Sequence, residues 1–235
     1  MFKPSSDLKL RYYHDRLTDH GTAHYNARQK LGVREVDTFA RLARLAGYAH
    51  VLAPSPDDLN KRRLLDAGCG DRYIETAVTD RGFDYVGLDV EDTNFERSPL
   101  PLTDSSIDIY VSLAVIEHLN EATLFLCEAL RVLKPGGIII LSTPNFQMDF
   151  RNFYNDPTHV RPYTPRSLEK VLALTGFEQI GIFPGLRCKP DWYYKGKSRF
   201  WKARWLLPFR GDNRYAPSWL KGRATSLFAI ARKPA

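Results

Sequence analysis

Residues 64 to 70 read Leu64-Leu65-Asp66-Ala67-Gly68-Cys69-Gly70. A short apolar run that ends in an acid and two closely spaced glycines is a strand finishing in a tight turn, at the carboxyl edge of a parallel sheet. The following apolar run, Tyr85 to Val90, carries Asp89, 19 residues beyond Gly70. A carboxylate there can accept hydrogen bonds from two vicinal ribose hydroxyls, so the two strand ends together define a nucleoside site. The dinucleotide fingerprint requires a third glycine where this chain has Tyr73, which obstructs the approach of a pyrophosphate to the helix. A nucleoside cofactor without phosphate needs no such clearance.

Outward from this turn, short apolar runs alternate with helical stretches: Ile107 to Ala114, Asn120 to Lys134, Ile138 to Ser142, the helix opened by Thr164-Pro165 and closed by Gly176, and strands over Glu178 to Phe183 and Thr225 to Lys233. Runs apolar on both faces suit a sheet covered by helices on each side. The fold expected is α/β, a Rossmann-like, doubly wound and mostly parallel sheet in a single domain over 1–235. Residues 8 to 50 are amphipathic and helical, most clearly from Val33 to Ala49, and form an N-terminal layer over 1–60 that ends at Pro54-Ser55-Pro56. The core occupies 61–184 and 224–235, and residues 185–223 form an insertion before the last strand.

The composition, 43% hydrophobic and 26% charged, is that of a globular chain and argues against extensive disorder. No run approaches the ~20 apolar residues of a membrane span, and the N-terminus lacks a secretory signal, so a cytoplasmic location is expected. Cys69, Cys127 and Cys188 are too far apart for a metal knuckle or a disulfide framework; all three are expected to be reduced, and no metal site is expected. The +7 net charge comes from one segment, because residues 187–223 hold eleven Lys or Arg against Asp191 and Asp212.

Five motifs occur in a set order: Leu65 to Gly70, Gly87-Leu88-Asp89-Val90, Leu100-Pro101-Leu102-Thr103-Asp104 running to Asp108, Val115-Ile116-Glu117-His118-Leu119, and Leu133-Lys134-Pro135-Gly136-Gly137. In this order they resemble the class I, seven-stranded methyltransferases that use S-adenosylmethionine (SAM), of the broad type 11 group, over roughly Lys61 to Phe183 plus the last strand. The resemblance implies a seven-stranded sheet, SAM as cofactor and S-adenosylhomocysteine as product. It implies that Gly68 and Gly70 line the methionine part, Asp89 holds the ribose, and Ser112, Leu113 and Ala114 lie beneath the cofactor, with Asp66 fixing the turn and Cys69 and Val90 as further cofactor-binding candidates. Two departures stand out. Arg72 occupies a position where the family often has glycine, and either clashes with SAM or pairs with its carboxylate. The segment Glu91 to Pro99 is too short for the usual third strand, which leaves Glu96 as the candidate adenine contact.

Methyl transfer is an in-line displacement, so alignment matters most, and a hydroxyl acceptor also needs a base. The polar, aromatic loop Phe150 to Tyr163 leaves the cofactor edge of the sheet after Asn145. Its His159 is the expected base, with Tyr163 or Arg161 orienting the acceptor; alternatively, His159 and Tyr163 only pin the loop. Asn145, His118 and Trp192 are further candidates for substrate contact, and Glu117-His118 equally suits a packing and capping role. All four tryptophans (Trp192, Trp201, Trp205, Trp219) share the basic segment, and Ser198 to Leu207 suits a basic amphipathic helix at a lipid interface. This pairing fits a peripheral contact with the inner membrane face, a phosphorylated lipid-linked saccharide or a nucleic acid; a packed cap is the plainer alternative. The resemblance extends to bacterial cell-surface saccharide and quinone-biosynthesis methyltransferases. It favours an oxygen, less so a nitrogen, of a small-molecule or lipid-linked saccharide acceptor over tRNA or rRNA. A SAM-binding sensor or partner subunit without catalysis is the reading from another class.

Overall fold

The computed structural model describes residues 22–48, 62–185, 207–211, 213 and 215–235. After the long helix α1 (Thr22–Leu45) come β1 (Arg63–Ala67), α2 (Glu75–Thr79), β2 (Asp84–Leu88), β3 (Ile107–Leu113), α3 (Ala122–Val132) and β4 (Leu133–Pro144). A short α4 (Phe146–Asp149), α5 (Pro165–Leu174) and β5 (Glu178–Pro184) follow. The chain closes with β6 (Phe209–Arg210), β7 (Lys221–Arg223) and β8 (Ser226–Arg232). Six strands form the central sheet in the order β2-β1-β3-β4-β8-β5. The first four are mutually parallel, and β8 runs antiparallel between β4 and β5.

Alternate residues of the strands feed two separate cores, which is why the strands read as unbroken apolar runs. On one face Leu65, Tyr110, Ile139 and Ala229 pack under Phe125, Leu126, Leu168 and Leu172 of α3 and α5. On the other, Leu64, Ile109, Ile140 and Phe228 meet Val36, Phe39, Leu42 and Ala43 of α1. Phe39 sets its ring edge-on to Phe228, with centroids 5.8 Å apart. Burying such a side chain contributes about 1.5–3 kcal/mol. Helix α1 is thus part of the fold's second core.

Three local features differ from the sequence expectation. The seventh strand is absent among the described residues: the stretch from Asp89 to Ser106 runs in turns. Pro99 and Pro101 lack amide donors, and Arg131 takes the Leu100 and Leu102 carbonyls at 3.0 and 2.8 Å, so side chains satisfy a backbone that a strand ladder would otherwise pair. Second, the helix expected through Lys134 stops at Val132, and β4 begins at Leu133 instead of Ile138. Lys134 precedes a proline and is biased towards extended backbone, and its ammonium lies 2.8 Å from Asp108. Third, the described end of the basic segment forms a small sheet of its own, β6 with β7. Trp192, Trp201, Trp205 and nearly all of the helix expected over 198–207 lie outside the described residues. The start of α5 is as expected, with a reciprocal cap between Thr164 and Ser167 and Pro165 in the first turn.

Candidate active site

The parallel strands β2, β1, β3 and β4 all end at one edge of the sheet, so the loops that follow them share a surface. After β1 the chain turns through Gly68 (φ +82°) and Gly70 (φ +52°). A Cβ on Gly68 would stand 2.2 Å from Val115 Cγ2, so this glycine allows the β1 turn to touch the loop after β3. A Cβ on Gly70 would meet nothing within 4 Å among the described residues, so there the second glycine opens on space.

Asp89 ties that opening together. One carboxylate oxygen accepts the Gly70 amide at 2.6 Å, the other accepts its neighbour Val90 at 2.6 Å, and Asp92 accepts the Asp89 amide at 2.9 Å. Beside it, Val90 leaves an apolar side chain 42% exposed. Asp66 lies beneath the turn, buried, and accepts the Tyr85 hydroxyl at 2.8 Å. Burial pushes its carboxyl up to about 7, opposed by the Tyr85 bond. Burial likewise raises the Cys69 thiol to about 12, which keeps it protonated near neutral pH. Arg72, itself at φ +54°, pairs with Glu75 at 3.0 Å and stacks over Tyr85. The helical layer reaches this corner through Arg28, which grips both oxygens of Asp71 at 2.6 and 2.8 Å and lies over the Tyr73 ring.

At the end of β3, Ser112 is buried, Leu113 half-buried, and Ala114 exposed with φ +56°. The chain then enters a single helical turn, Ile116–His118. Glu117 is 0% exposed; one oxygen accepts the Thr143 hydroxyl at 3.0 Å, and Oε1 has no partner among the described residues. Burial raises this carboxyl to about 8. Its carbonyl accepts the amides of Val160 and Arg161 at 2.9 and 3.0 Å, which brings the loop after β4 against the loop after β3.

The His118 and His159 rings consequently lie 4.8 Å apart. His118 Nδ1 is 3.1 Å from the Thr158 carbonyl and 3.0 Å from its hydroxyl, while His159 Nδ1 is 2.7 Å from the Phe153 carbonyl. The Phe153 ring packs on His159, with centroids 4.7 Å apart. Tyr163 is buried in the core, where burial raises its hydroxyl to about 12 against the opposing charge of Arg161. Asn145 is buried too: its amide nitrogen donates to the Ala224 carbonyl at 2.9 Å, and its Oδ1 has no partner among the described residues. Arg210 of β6 reaches Asp149 at 3.4 Å, so the described part of the basic segment meets this loop.

The turn, Asp89, Val90, Ala114, His118 and His159 thus gather at one sheet edge. Glu96 Oε1 accepts the amides of Asn120 and Glu121 at 2.5 and 3.2 Å, at the start of α3. It serves the helix terminus, whose amide donors have no partner within the helix. Sequence reasoning missed Glu117 as a buried acid and Thr158 and Phe153 as the groups that orient the imidazoles. The clue was an acid beside a histidine at a strand end, with a second histidine in the loop after the neighbouring strand.

A family model described as a methyltransferase domain matches residues 31–180. A probable SAM-dependent methyltransferase of Mycolicibacterium smegmatis is 33% identical over 145 residues, covering 53% of this chain and 56% of that protein. Another from Mycobacterium tuberculosis is 32% identical over 151 residues, covering 54% of each. The chain therefore spans about half the length of the curated relatives it matches. Among solved structures, a SAM-dependent methyltransferase from Archaeoglobus fulgidus is similar with a TM-score of 0.55 at 21% identity, covering 81% of this chain and 92% of that one. A Haemonchus contortus N-methyltransferase in complex with phosphomonomethylethanolamine and S-adenosylhomocysteine gives a TM-score of 0.52 at 14% identity, covering 82% of this chain and 52% of that one. At those identities the likeness is one of fold.

Proposed function

The chain belongs to the methyltransferase-domain family, and on that premise we propose that it transfers a methyl group from SAM to an oxygen of a small-molecule or lipid-linked saccharide acceptor, releasing S-adenosylhomocysteine. The turn suits this donor. Among the described residues nothing fills the space at Gly70, an acid with two backbone-anchored oxygens stands beside it, and the exposed Val90 offers an apolar flank for the base. SAM brings a methyl carbon on a positively charged sulfur, activated for displacement.

What the chain must add is alignment and, for a hydroxyl acceptor, removal of a proton. The observation that carries the oxygen reading is the pair of imidazoles in ring contact at the same sheet edge, one link from the cofactor turn through Val115. His159 Nδ1 is anchored on a carbonyl, which fixes the tautomer that keeps the Nε2 lone pair for the acceptor hydroxyl. Such a base contributes typically 10²–10⁴-fold to a rate. Arg161 and the buried amide of Asn145 are suited to orienting the acceptor. The exposed Phe150 and Tyr154 rings, with Arg210 alongside, suit an acceptor that has both a sugar or lipid face and negative charge. A peripheral contact with a membrane through the basic segment belongs to the same proposal; no described helix is long and apolar enough to cross one.

Incubation with methyl-labelled SAM and separated lipid, saccharide, RNA and protein fractions tests the reading. Label is expected in the lipid or saccharide fraction. Label in RNA alone would overturn the acceptor class, and SAM binding without transfer to any fraction would overturn catalysis.

A further inference from the structure

Glu117, His118 and His159 each place one donor atom within 4.8 Å of the others. We propose that these three residues form the binding site of one divalent first-row transition ion, beside the cofactor turn and facing the acceptor. Two imidazoles and one carboxylate are a donor set that holds such an ion on one face and leaves its other positions open. Imidazole donors favour zinc, cobalt or iron over magnesium or calcium.

Three observations point to a cation. First, each histidine has its Nδ1 against a main-chain carbonyl, Thr158 for His118 and Phe153 for His159. Ligating histidines are commonly oriented in this way, because Nδ1–H donating to a carbonyl fixes the ring and directs the Nε2 lone pair outward. Second, Glu117 is a wholly buried acid with one oxygen lacking any described partner. Isolated buried carboxylates are costly, and a cation offsets that cost directly. Third, Asp156 adds negative charge beside both rings while holding Thr158 through its amide and hydroxyl. It would thereby fix His118 at one remove. Donors to such an ion stand ~2.0–2.2 Å from it, so the three groups close inward on binding, with each Nδ1 kept on its carbonyl.

The ion's role rests on the methyltransferase reading, although its binding does not. An acceptor hydroxyl at an open position becomes more acidic and gives its proton to solvent. Its oxygen pair then forms the C–O bond as the C–S bond of SAM breaks, and that bonding pair stays on sulfur. With the ion bound, His159 holds the cation, and the cation takes over activation of the hydroxyl.

The test is calorimetric titration of Zn²⁺, Co²⁺ and Mg²⁺ into chelator-treated full-length protein, with SAM titrated in parallel and the Co²⁺ absorption spectrum recorded. One Zn²⁺ or Co²⁺ per chain is expected, with Mg²⁺ binding at least 100-fold more weakly. His118→Ala and His159→Ala should each weaken Co²⁺ at least 100-fold, following the ~10²-fold scale of altered metal sites. Glu117→Gln should weaken it at least tenfold while the metal-free variant melts close to the wild-type temperature, since the amide oxygen can still accept from Thr143. Absence of stoichiometric binding, or binding unchanged in the His118→Ala/His159→Ala double variant, would overturn the site. Metal binding without SAM binding would overturn the methyltransferase reading and leave the site standing; the converse result would remove the site alone.

Discussion

The two halves of the sheet edge are built from different materials. At the ends of β1 and β2 the polar groups are main-chain amides gathered around one carboxylate, Asp89. At the ends of β3 and β4 they are side chains: two imidazoles and a buried acid, brought together by the Glu117 carbonyl holding the amides of Val160 and Arg161. Backbone donors are fixed by the turn itself and need only glycines and one acid. Side-chain constellations depend on rotamers that supporting groups must lock, here Thr158, Phe153 and Thr143. The first half suits an invariant ligand part and the second suits a variable one. On the function proposed above, holding the methyl donor and handling the acceptor should therefore be separable by mutation.

The largest separation is expected at His159. Replacing it with Ala should lower turnover by about 10²–10⁴-fold, whether the imidazole holds a proton or a cation, while SAM affinity measured by calorimetry stays within about twofold. A matching loss of SAM affinity would break the division between the halves.

The two turn glycines sharpen it. Gly68→Ala drives a Cβ to 2.2 Å from Val115 Cγ2 at φ +82°, and overpacking with left-handed strain should cost about 2–5 kcal/mol, seen in chemical denaturation. Gly70→Ala meets no atom of the described residues within 4 Å. It should lose only ~1–2 kcal/mol from its positive φ, yet weaken SAM binding at least tenfold. Equal stability losses at both positions would contradict the assignment of one glycine to packing and the other to the ligand.

Asp66 gives the division a pH signature. Its folded pKa, raised to about 7 from 3.8, means that the native state keeps a proton the unfolded chain releases. Stability of the ligand-free protein from this group is full below about pH 4, falls as pH rises to about 7, and then levels off. Asp66→Asn, which can still accept from Tyr85, should abolish that part of the slope in a series of melting curves. A slope unchanged in the variant would place the ionisation elsewhere. The smallest effect is expected at Arg28. Its grip on Asp71 is partly exposed, so Arg28→Ala should cost only about 1 kcal/mol by the same denaturation.

Much of the first half was legible in the sequence. Gly68, Gly70 and Asp89 act through backbone geometry, and backbone geometry constrains residue type locally, so spacing revealed them. The strand ladder was readable for a similar reason, since β1, β3 and β4 are apolar on both faces. The count of strands was not: the turns after β2 are held by Arg131, whose reach to Leu100 and Leu102 spans about thirty residues and leaves no local pattern. The tie of Glu96 to the start of α3 was hidden likewise, because its partner amides lie far along the chain at Asn120 and Glu121. In the second half, His118 and His159 were singled out separately. Their contact and the burial of Glu117 between β3 and β4 arise from tertiary packing, which no spacing rule encodes.

Titration of SAM into wild-type protein and Asp89→Ala tests the central claim most directly. Loss of a carboxylate proposed to bond the ribose hydroxyls, and seen to hold the Gly70 amide, should weaken binding by about 100-fold, in keeping with ~1.5–3 kcal/mol for charged hydrogen bonds. The variant should remain folded by circular dichroism. SAM affinity within threefold of wild type in folded Asp89→Ala would show that the cofactor does not bind at this edge.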